Sequence, residues 1–287
     1  MDKHPDGVQA NLSKESVALA DLREVNLERA ILKSTVFANA NLDGANLSGA
    51  LLNEADLHGA RLSGVDLTGA DLSHANCDDA SLRDACLAEA ILSAASFREA
   101  RLDSARMFEA KLTRCCLAGA NLKGAVIQHC TIFDSDFSGA LLEDVLFNNS
   151  RIGMTRFRDI KAADASFNYA KLGGSDFRGA QLSRAKFYKT DLTGACFGAA
   201  QLDRGDFREA CLRSADFCTA VLTNARFGDA VFMATDFRGA NLRGARELTS
   251  RQLLAARTGL DTTLPDGRRG TYLKGSNAER PASSVQP

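Results

Sequence analysis

The residues of this sequence that could do chemistry are its eight cysteines and four histidines, which are common zinc ligands and, for cysteine, disulfide partners. Their spacing supports neither role, because no Cys-x-x-Cys pair occurs and the histidines share no ligand spacing with the cysteines. Cys77, Cys115 and Cys130 fall at repeat positions that otherwise hold core residues. The sequence therefore predicts reduced cysteines, no bound metal and no cofactor.

Adjacent carboxylates could serve general acid–base catalysis, and the chain has such pairs at Asp78–Asp79 and Glu143–Asp144. Both pairs take outward positions of the repeat, and a chain with 36 acidic residues places some of them side by side by chance. No phosphate-binding loop, GxGxxG after a strand, GxSxG or HExxH occurs in the sequence. We predict that the protein is not an enzyme.

The sequence repeats every five residues, and this repeat determines which side chains point into the core and which point outward. From Leu12 to Leu242, the positions whose numbers end in 2 or 7 hold Leu or Phe in 40 of 47 cases, and Ala holds 32 of the 47 positions two residues earlier. Neither an amphipathic helix nor a single strand has this period. Each pentad is predicted to form one side and one corner of a coil, with the large residue inside and Ala where backbones approach closely.

The aromatic residues indicate how many pentads close a coil. From Phe137 to Phe227, Phe alternates with another residue at successive centres, which gives a period of ten. With this period, Phe lies above Phe in successive coils only if each coil has an even number of sides. A coil of two sides would leave no room for a core. Four sides give a coil of 20 residues, with neighbouring coils about 4.8 Å apart. Such short repeats bury their apolar side chains by stacking into a solenoid, here of about twelve coils.

Two stretches show the repeat in its plainest form, “ANLDGANLSGA” at residues 40–50 and “ATDFRGANLRGA” at residues 234–245. They fit the motif A-(D/N)-L-x-x, and with them the sequence resembles the pentapeptide-repeat family over residues 10–245. The resemblance implies an all-β fold, a right-handed quadrilateral β-helix. The handedness follows from the resemblance alone.

The flanks of the repeat predict the domain boundaries. We predict a lead-in at residues 1–9, the β-helix at residues 10–245, a helical cap and loop at residues 246–273, and a disordered tail at residues 274–287. The register breaks at “RELTSRQLLAART”, where Thr249 and Gln252 match a capping box and predict a short helix across the last coil.

Composition also bears on location. The first residues lack the apolar segment of a secretory signal, and no window holds the 18 or so apolar residues of a membrane span. The sequence predicts a cytoplasmic protein without membrane association, and it leaves open export by a route that reads no such signal.

With a filled interior, function is expected on the outer surface, and the first hypothesis is a protein-binding scaffold. On the side centred on residues 107, 127, 147, 167 and 187, exposed aromatic residues lie among polar ones, a composition typical of interfaces. This candidate interaction surface comprises Phe108, His129, Asn149, Tyr169, Lys186, Tyr188 and Lys189. Tyr169 and Tyr188 are predicted to lie on adjacent coils. Scattered surface residues remain the competing interpretation.

The resemblance implies a second hypothesis. Some members of the family mimic the shape and charge of B-DNA and bind DNA gyrase or topoisomerase IV, which they protect from quinolones or toxins. The matching feature here is an acidic column formed by Asp56, Asp136, Asp176, Asp216 and Asp236. Arg158, Arg178 and Arg238 lie beside it, and residues 10–245 hold 27 basic and 30 acidic residues, so the charge supports this alternative weakly.

The pattern of outward residues also bears on nucleic-acid binding and on self-association. No basic stripe follows the length of a side, so direct nucleic-acid binding is not predicted. An outward apolar row at Ile31, Leu51 and Ile91, interrupted by Asp71, leaves a homodimer open. The identity of the protein partner does not follow from the sequence.

Overall fold

The computed structural model describes residues 9–272. In this range the regular elements are β1 (Lys111–Thr113), β2 (Thr131–Phe133), β3 (Arg151–Gly153) and α1 (Ser250–Ala255). Residues 1–8 of the predicted lead-in and the predicted tail at residues 274–287 lie outside the described residues. No helix within residues 9–272 has the length and hydrophobicity needed to cross a bilayer.

Isolated parallel bridges, rather than long strands, connect the coils. They join residues 20 positions apart, such as Asn41 with Arg61 and Gln181 with Gln201. The pairing of β1 with β2 has the same spacing, since Leu112 lies opposite Ile132. The predicted coil of 20 residues and four sides is confirmed, and the architecture is a β-helix.

Each corner of the coil is a turn whose third residue has positive φ. At one corner the N–H of Ala45 donates to the carbonyl oxygen of Leu42 at 3.0 Å, and Gly44 between them has φ 69°. Glycine takes this conformation at no steric cost, which explains its frequency at these positions. The structure adds that other residues take it too, for example Glu54 at φ 59° and Tyr169 at φ 61°.

The chain divides into two compact units, Met1–Leu146 and Phe147–Pro287. We call them the first and second units and describe each by itself. The predicted domain boundaries remain predictions.

Leucine fills most of the core of the first unit. Leu42, Leu62 and Leu82 stand at equivalent positions of successive coils and are fully buried, as are the alanines at most corners. The first coil is less complete, because Leu12 and Val17 are only partly buried. The pentad pattern therefore predicted the inward side chains correctly.

Phenylalanine forms two stacks in the core of the second unit. Within a stack, ring centroids of successive coils lie 4.7–5.3 Å apart and nearly parallel. Between the stacks, rings meet edge to face at interplanar angles of 78–90°. The stacks are Phe147, Phe167, Phe187, Phe207 and Phe227, and Phe157, Phe177, Phe197, Phe217 and Phe237. The predicted columns are confirmed within this unit.

Helix α1 follows the last regular coil of the second unit. Thr249 is its N-cap and forms the predicted capping box with Gln252. The side-chain amide of Gln252 also donates to the carbonyl oxygens of Phe227 and Ala230, both at 2.9 Å. The bond to Ala230 replaces the one that a following coil would donate, whereas the carbonyl of Phe227 also accepts from the N–H of Ala230 at 3.0 Å.

Candidate functional site

The two predicted tyrosines lie on adjacent coils of the second unit. The N–H of Tyr169 donates to the carbonyl oxygen of Tyr188 at 2.9 Å, and their rings meet edge to face with centroids 5.5 Å apart. Tyr169 is 51% exposed, which is high for an aromatic residue. We call Tyr169, Tyr188, Lys189, Arg208 and Glu209 the tyrosine surface.

Charged neighbours hold the ring of Tyr188 in place. Its hydroxyl donates to Oε1 of Glu209 at 2.8 Å, and Nζ of Lys189 forms an ion pair with the same carboxylate at 3.3 Å. The Lys189 ammonium lies 5.1 Å from the ring centroid, and Cζ of Arg208 lies 5.6 Å from it, both within cation–π range. Hydrogen bonds to Tyr188 and Glu209 raise the pKa of Lys189, and those from Tyr188 and Lys189 lower the pKa of Glu209.

Two asparagine side chains hold the backbone of this surface in place through hydrogen bonds between coils. Oδ1 of Asn148 accepts from the N–H of Asn168 at 3.1 Å, and Oδ1 of Asn168 accepts from the N–H of Tyr188 at 3.0 Å. Asn149 is exposed at a corner with φ 60°. The amides of Asn148 and Asn168 thus bind the next coil, a structural role that sequence reasoning did not assign to them.

A hollow of about 280 Å³ adjoins Tyr188. Glu209, Asp229 and Glu247 contribute carboxylates to it, and Arg208 contributes the one cation of its lining. Arg208 is itself bonded to Asp206, with Nη2 2.6 Å from Oδ2. Asp229 is exposed and makes no ion pair within residues 9–272. The hollow consequently has an acidic lining beside an aromatic ring.

The remaining members of the candidate interaction surface fall into both units. Phe108 and His129 lie in the first unit, where their ring centroids are 5.1 Å apart and Phe108 is 43% exposed. Lys186 is an exposed residue of the second unit, whose backbone bridges Ser166 and Asp206. The structure brings Tyr169, Tyr188 and Lys189 together, and it groups Phe108 with His129.

Arginines neutralise two members of the predicted acidic column in the second unit. Asp176 accepts from Nε of Arg178 at 2.9 Å and from Nε of Arg158, and Asp236 accepts from Nη2 of Arg238 at 2.6 Å. Burial raises the pKa of Asp176, but the hydrogen bonds from Arg178 and Arg158 outweigh it and lower the pKa to about 2. The hydrogen bond from Arg238 likewise lowers the pKa of Asp236.

The other members of the column accept local hydrogen bonds. Asp56 accepts from the N–H of His58 at 3.1 Å, Asp136 from the N–H of Ser138 at 2.9 Å and Asp216 from the N–H of Cys218 at 2.8 Å. These carboxylates therefore stabilise the backbone of their own sides.

An aspartate that accepts hydrogen bonds from the arginine two residues later, as Asp176 does from Arg178, is called an Asp–Arg clip. The same clip occurs at Asp206–Arg208.

A second hollow, of about 330 Å³, was missed by sequence reasoning. Its lining consists of Arg204, Asn224, Arg226 and Arg246. These residues are scattered in the sequence and become neighbours only when it is arranged in coils of 20. We call this lining the basic pocket.

Each of the eight cysteines is a thiol rather than half of a disulfide between described residues, and Cys77, Cys115 and Cys130 are buried as predicted. Burial raises the pKa of Cys130 to about 12 and also raises the pKa of Cys77, which disfavours the reactive thiolate. Within residues 9–272 no group of three His, Cys, Asp or Glu side chains is arranged to hold a metal ion.

The predicted self-association row lies in the first unit. Parallel bridges connect Ile31 with Leu51, Leu51 with Asp71, and Asp71 with Ile91. Ile31 is 37% exposed, whereas Leu51 and Ile91 are partly buried. The row presents little apolar area, and the homodimer remains a prediction.

Comparison with known proteins identifies the repeat. Pentapeptide repeats match in eight copies, over residues 20–59, 50–87, 75–114, 105–144, 163–198 and 210–246. No curated protein sequence matches the chain significantly.

Three solved structures illustrate the likeness. HetL, a pentapeptide repeat protein involved in heterocyst differentiation in the cyanobacterium Nostoc, is 27% identical, with 91% of this chain and 92% of HetL covered and a TM-score of 0.31. QnrB1, a plasmid-mediated fluoroquinolone resistance protein, is 23% identical, with 57% and 86% covered and a TM-score of 0.38. A pentapeptide repeat protein from the thylakoid lumen of Arabidopsis thaliana is 26% identical, with 49% and 66% covered and a TM-score of 0.21.

Proposed function

The chain belongs to the pentapeptide repeat family, and on that premise we propose that it is a non-catalytic scaffold that binds a protein partner through the tyrosine surface. The observation that carries the proposal is the edge-to-face pair of the exposed Tyr169 and the half-buried Tyr188 beside an acidic hollow. Tyrosine is among the residues that contribute most to protein–protein binding, because its large ring is buried at little entropic cost.

The hollow indicates the chemistry of the partner. A basic side chain entering it would lie beside the Tyr188 ring and near the carboxylates of Asp229 and Glu247, of which Glu247 is already paired with Arg226. Cation–π attraction and charge complementarity both favour lysine or arginine at that place. We therefore propose that the partner presents a basic residue to this hollow.

Preorganisation supports the same site. Tyr188 is fixed by its hydroxyl bond to Glu209 and by the backbone bond to Asn168. A side chain that is already ordered loses little conformational entropy when a partner binds. The packed interior supports a role without catalysis, because the centre positions are filled by Leu and Phe and leave no room for a substrate.

The proposal is tested by capture of partners from a host lysate on the immobilised full-length chain, read by mass spectrometry. The variant combines Tyr169→Ala with Tyr188→Ala, and the matched control is Leu260→Ala, another exposed apolar residue of the second unit. We expect the double variant alone to lose partners, with an affinity at least about tenfold weaker for each recovered protein. Unchanged recovery on the double variant would contradict the tyrosine surface.

The alternative is a DNA-mimicking protein that binds DNA gyrase or topoisomerase IV. It requires a sustained negative face, and the Asp–Arg clips at Asp176 and Asp236 reduce the charge of the acidic column. The capture experiment distinguishes the two proposals. Recovery of topoisomerase subunits that added duplex DNA displaces, and that survives the tyrosine double variant, would favour the alternative.

A further inference from the structure

The basic pocket occupies one corner region of the second unit. Arg226 and Arg246 are joined by a parallel bridge, so their backbones lie on adjacent coils about 4.8 Å apart. Arg204 and Asn224 occupy equivalent corner positions of successive coils, where both have φ 58°. The coil repeat therefore brings three guanidinium groups and one amide around a single hollow.

The positive charge of this pocket is only partly compensated. Arg226 forms an ion pair with Glu247, at 2.7 Å between Nη2 and Oε1. Neither Arg204 nor Arg246 makes an ion pair with any residue between 9 and 272. Like charges that line the same hollow repel each other, and an anion bound between them would reduce that repulsion.

The neighbouring carboxylates are already engaged. Asp206 is held by the clip with Arg208, and Asp203 accepts a hydrogen bond from the hydroxyl of Ser183. Glu247 accepts from Nε of Arg226 at 2.9 Å. None of these three side chains lines the pocket, whose charged groups are all guanidinium groups.

From this arrangement we propose that the basic pocket binds a phosphoryl group. A phosphate monoester carries a charge of about −1.5 to −2 near neutral pH and three acceptor oxygens, which matches two uncompensated guanidinium groups and an amide. The planar fork of arginine donates two hydrogen bonds to such oxygens. A carboxylate offers one charge and two oxygens, and it would leave one arginine uncompensated.

Free phosphate and a phosphorylated residue of a protein share this chemistry. A nucleic acid would instead need cations repeated along the surface. Elsewhere in the second unit, Arg158, Arg178 and Arg238 are bonded to the carboxylates of Asp176 and Asp236. Three guanidinium groups converge on this one hollow, whereas Arg213, which also makes no ion pair within residues 9–272, does not line it, and this convergence favours a single phosphoryl group over a polyanion.

The test is an NMR titration of the arginine Nε–Hε signals of the full-length protein at constant ionic strength and pH about 7. One probe is sodium phosphate, and the others are acetyl-Gly-phosphoSer-Gly-amide and its unphosphorylated form. The variant combines Arg204→Gln with Arg246→Gln. Its matched control is Arg213→Gln, an exposed arginine of the same unit that makes no ion pair within residues 9–272.

We expect phosphate to bind the wild type and the control equally and to bind the double variant at least about tenfold more weakly. Tighter binding of the phosphorylated peptide than of phosphate identifies a phosphorylated protein as the source, and equal binding identifies free phosphate. Shifts with phosphate no larger than with chloride, or equal binding by the double variant, would overturn the proposal. So would duplex DNA that binds through these arginines and resists competition by phosphate.

The anion site is independent of the proposed scaffold role. Tyr169→Ala with Tyr188→Ala should leave phosphate binding unchanged, because neither tyrosine lines the basic pocket. Failure of the titration therefore leaves the capture result intact, and failure of the capture leaves the titration intact.

Discussion

The two units build the same coil from different core residues. The first unit fills its centres mainly with leucine, and the second alternates phenylalanine with leucine in two stacked columns. Bridges join residues 20 apart in both. The backbone ladder and the small corner residues therefore set the coil, whereas the large residue has only to be apolar and of suitable volume.

A charge in a core column should break both kinds of core alike, and this is the largest effect we expect. Leu182 is fully buried, and Leu182→Asp would place a carboxylate there without a partner. We expect a loss of more than about 4 kcal/mol in the free energy of unfolding and no cooperative thermal transition. The exposed neighbour Gln181→Asp is the control and should keep the transition. A wild-type melting curve for Leu182→Asp would show that the assigned register is wrong.

Aromatic stacking is the interaction that distinguishes the core of the second unit from that of the first. Phe187 contacts Phe167 and Phe207 face to face and Phe177 and Phe197 edge to face. Phe187→Leu keeps an apolar residue at the centre and removes all four ring contacts. We expect it to lower the free energy of unfolding by about 2–4 kcal/mol, measured by urea denaturation.

Phe97 provides the matched change in the first unit. It is fully buried but makes no ring contact within residues 9–272. Phe97→Leu should therefore cost only about 1 kcal/mol. Equal losses for Phe97→Leu and Phe187→Leu would mean that the stacks add nothing beyond volume.

The Asp–Arg clip at Asp176 should give the second unit a small sensitivity to acid, although the first unit has a clip of its own at Asp21–Arg23. The pKa of Asp176 is lowered from 3.8 to about 2 in the folded state, so its ionised form stabilises the fold above pH 3.8 and this contribution is lost as the pH falls towards 2. Because Arg178 and Arg158 are half-exposed, we expect a contribution of about 1 kcal/mol at most.

Asp176→Asn measures this contribution. The difference in unfolding free energy between the wild type and Asp176→Asn should be largest near neutral pH and vanish towards pH 2. Asp134→Asn, at an exposed corner of the first unit with φ 54°, is the control and should show no such trend. A constant difference across this range would contradict the role of the clip.

The features that could be predicted from the sequence are those that recur in each pentad or coil or that depend on residues close together in the chain. The buried centres, the 20-residue coil, the Phe columns and the capping box of Thr249 and Gln252 all follow from local spacing. The adjacency of Tyr169 and Tyr188 followed as soon as the coil length was known.

The chemistry of the surface was harder to predict, because it depends on which of several neighbouring groups each side chain forms a hydrogen bond with. Asp176 has arginines on its own side and on the preceding coil, and it bonds to both. Asn168 could have faced solvent, but it accepts from the N–H of Tyr188. The basic pocket joins residues of three successive coils, from Arg204 to Arg246, a pattern that is visible only after the sequence is arranged in coils.

The 20-residue coil has a consequence for changes in chain length. Removal of one pentad would keep every later Leu or Phe inside but would move the outward residues that follow by a quarter turn. Such a deletion between Tyr169 and Tyr188 would separate their rings, although both sides would still pack. Gain or loss of a whole coil keeps every column in line. Insertions and deletions that preserve the surface of this protein are therefore expected in steps of 20 residues, and shorter steps would redraw which side chains are neighbours.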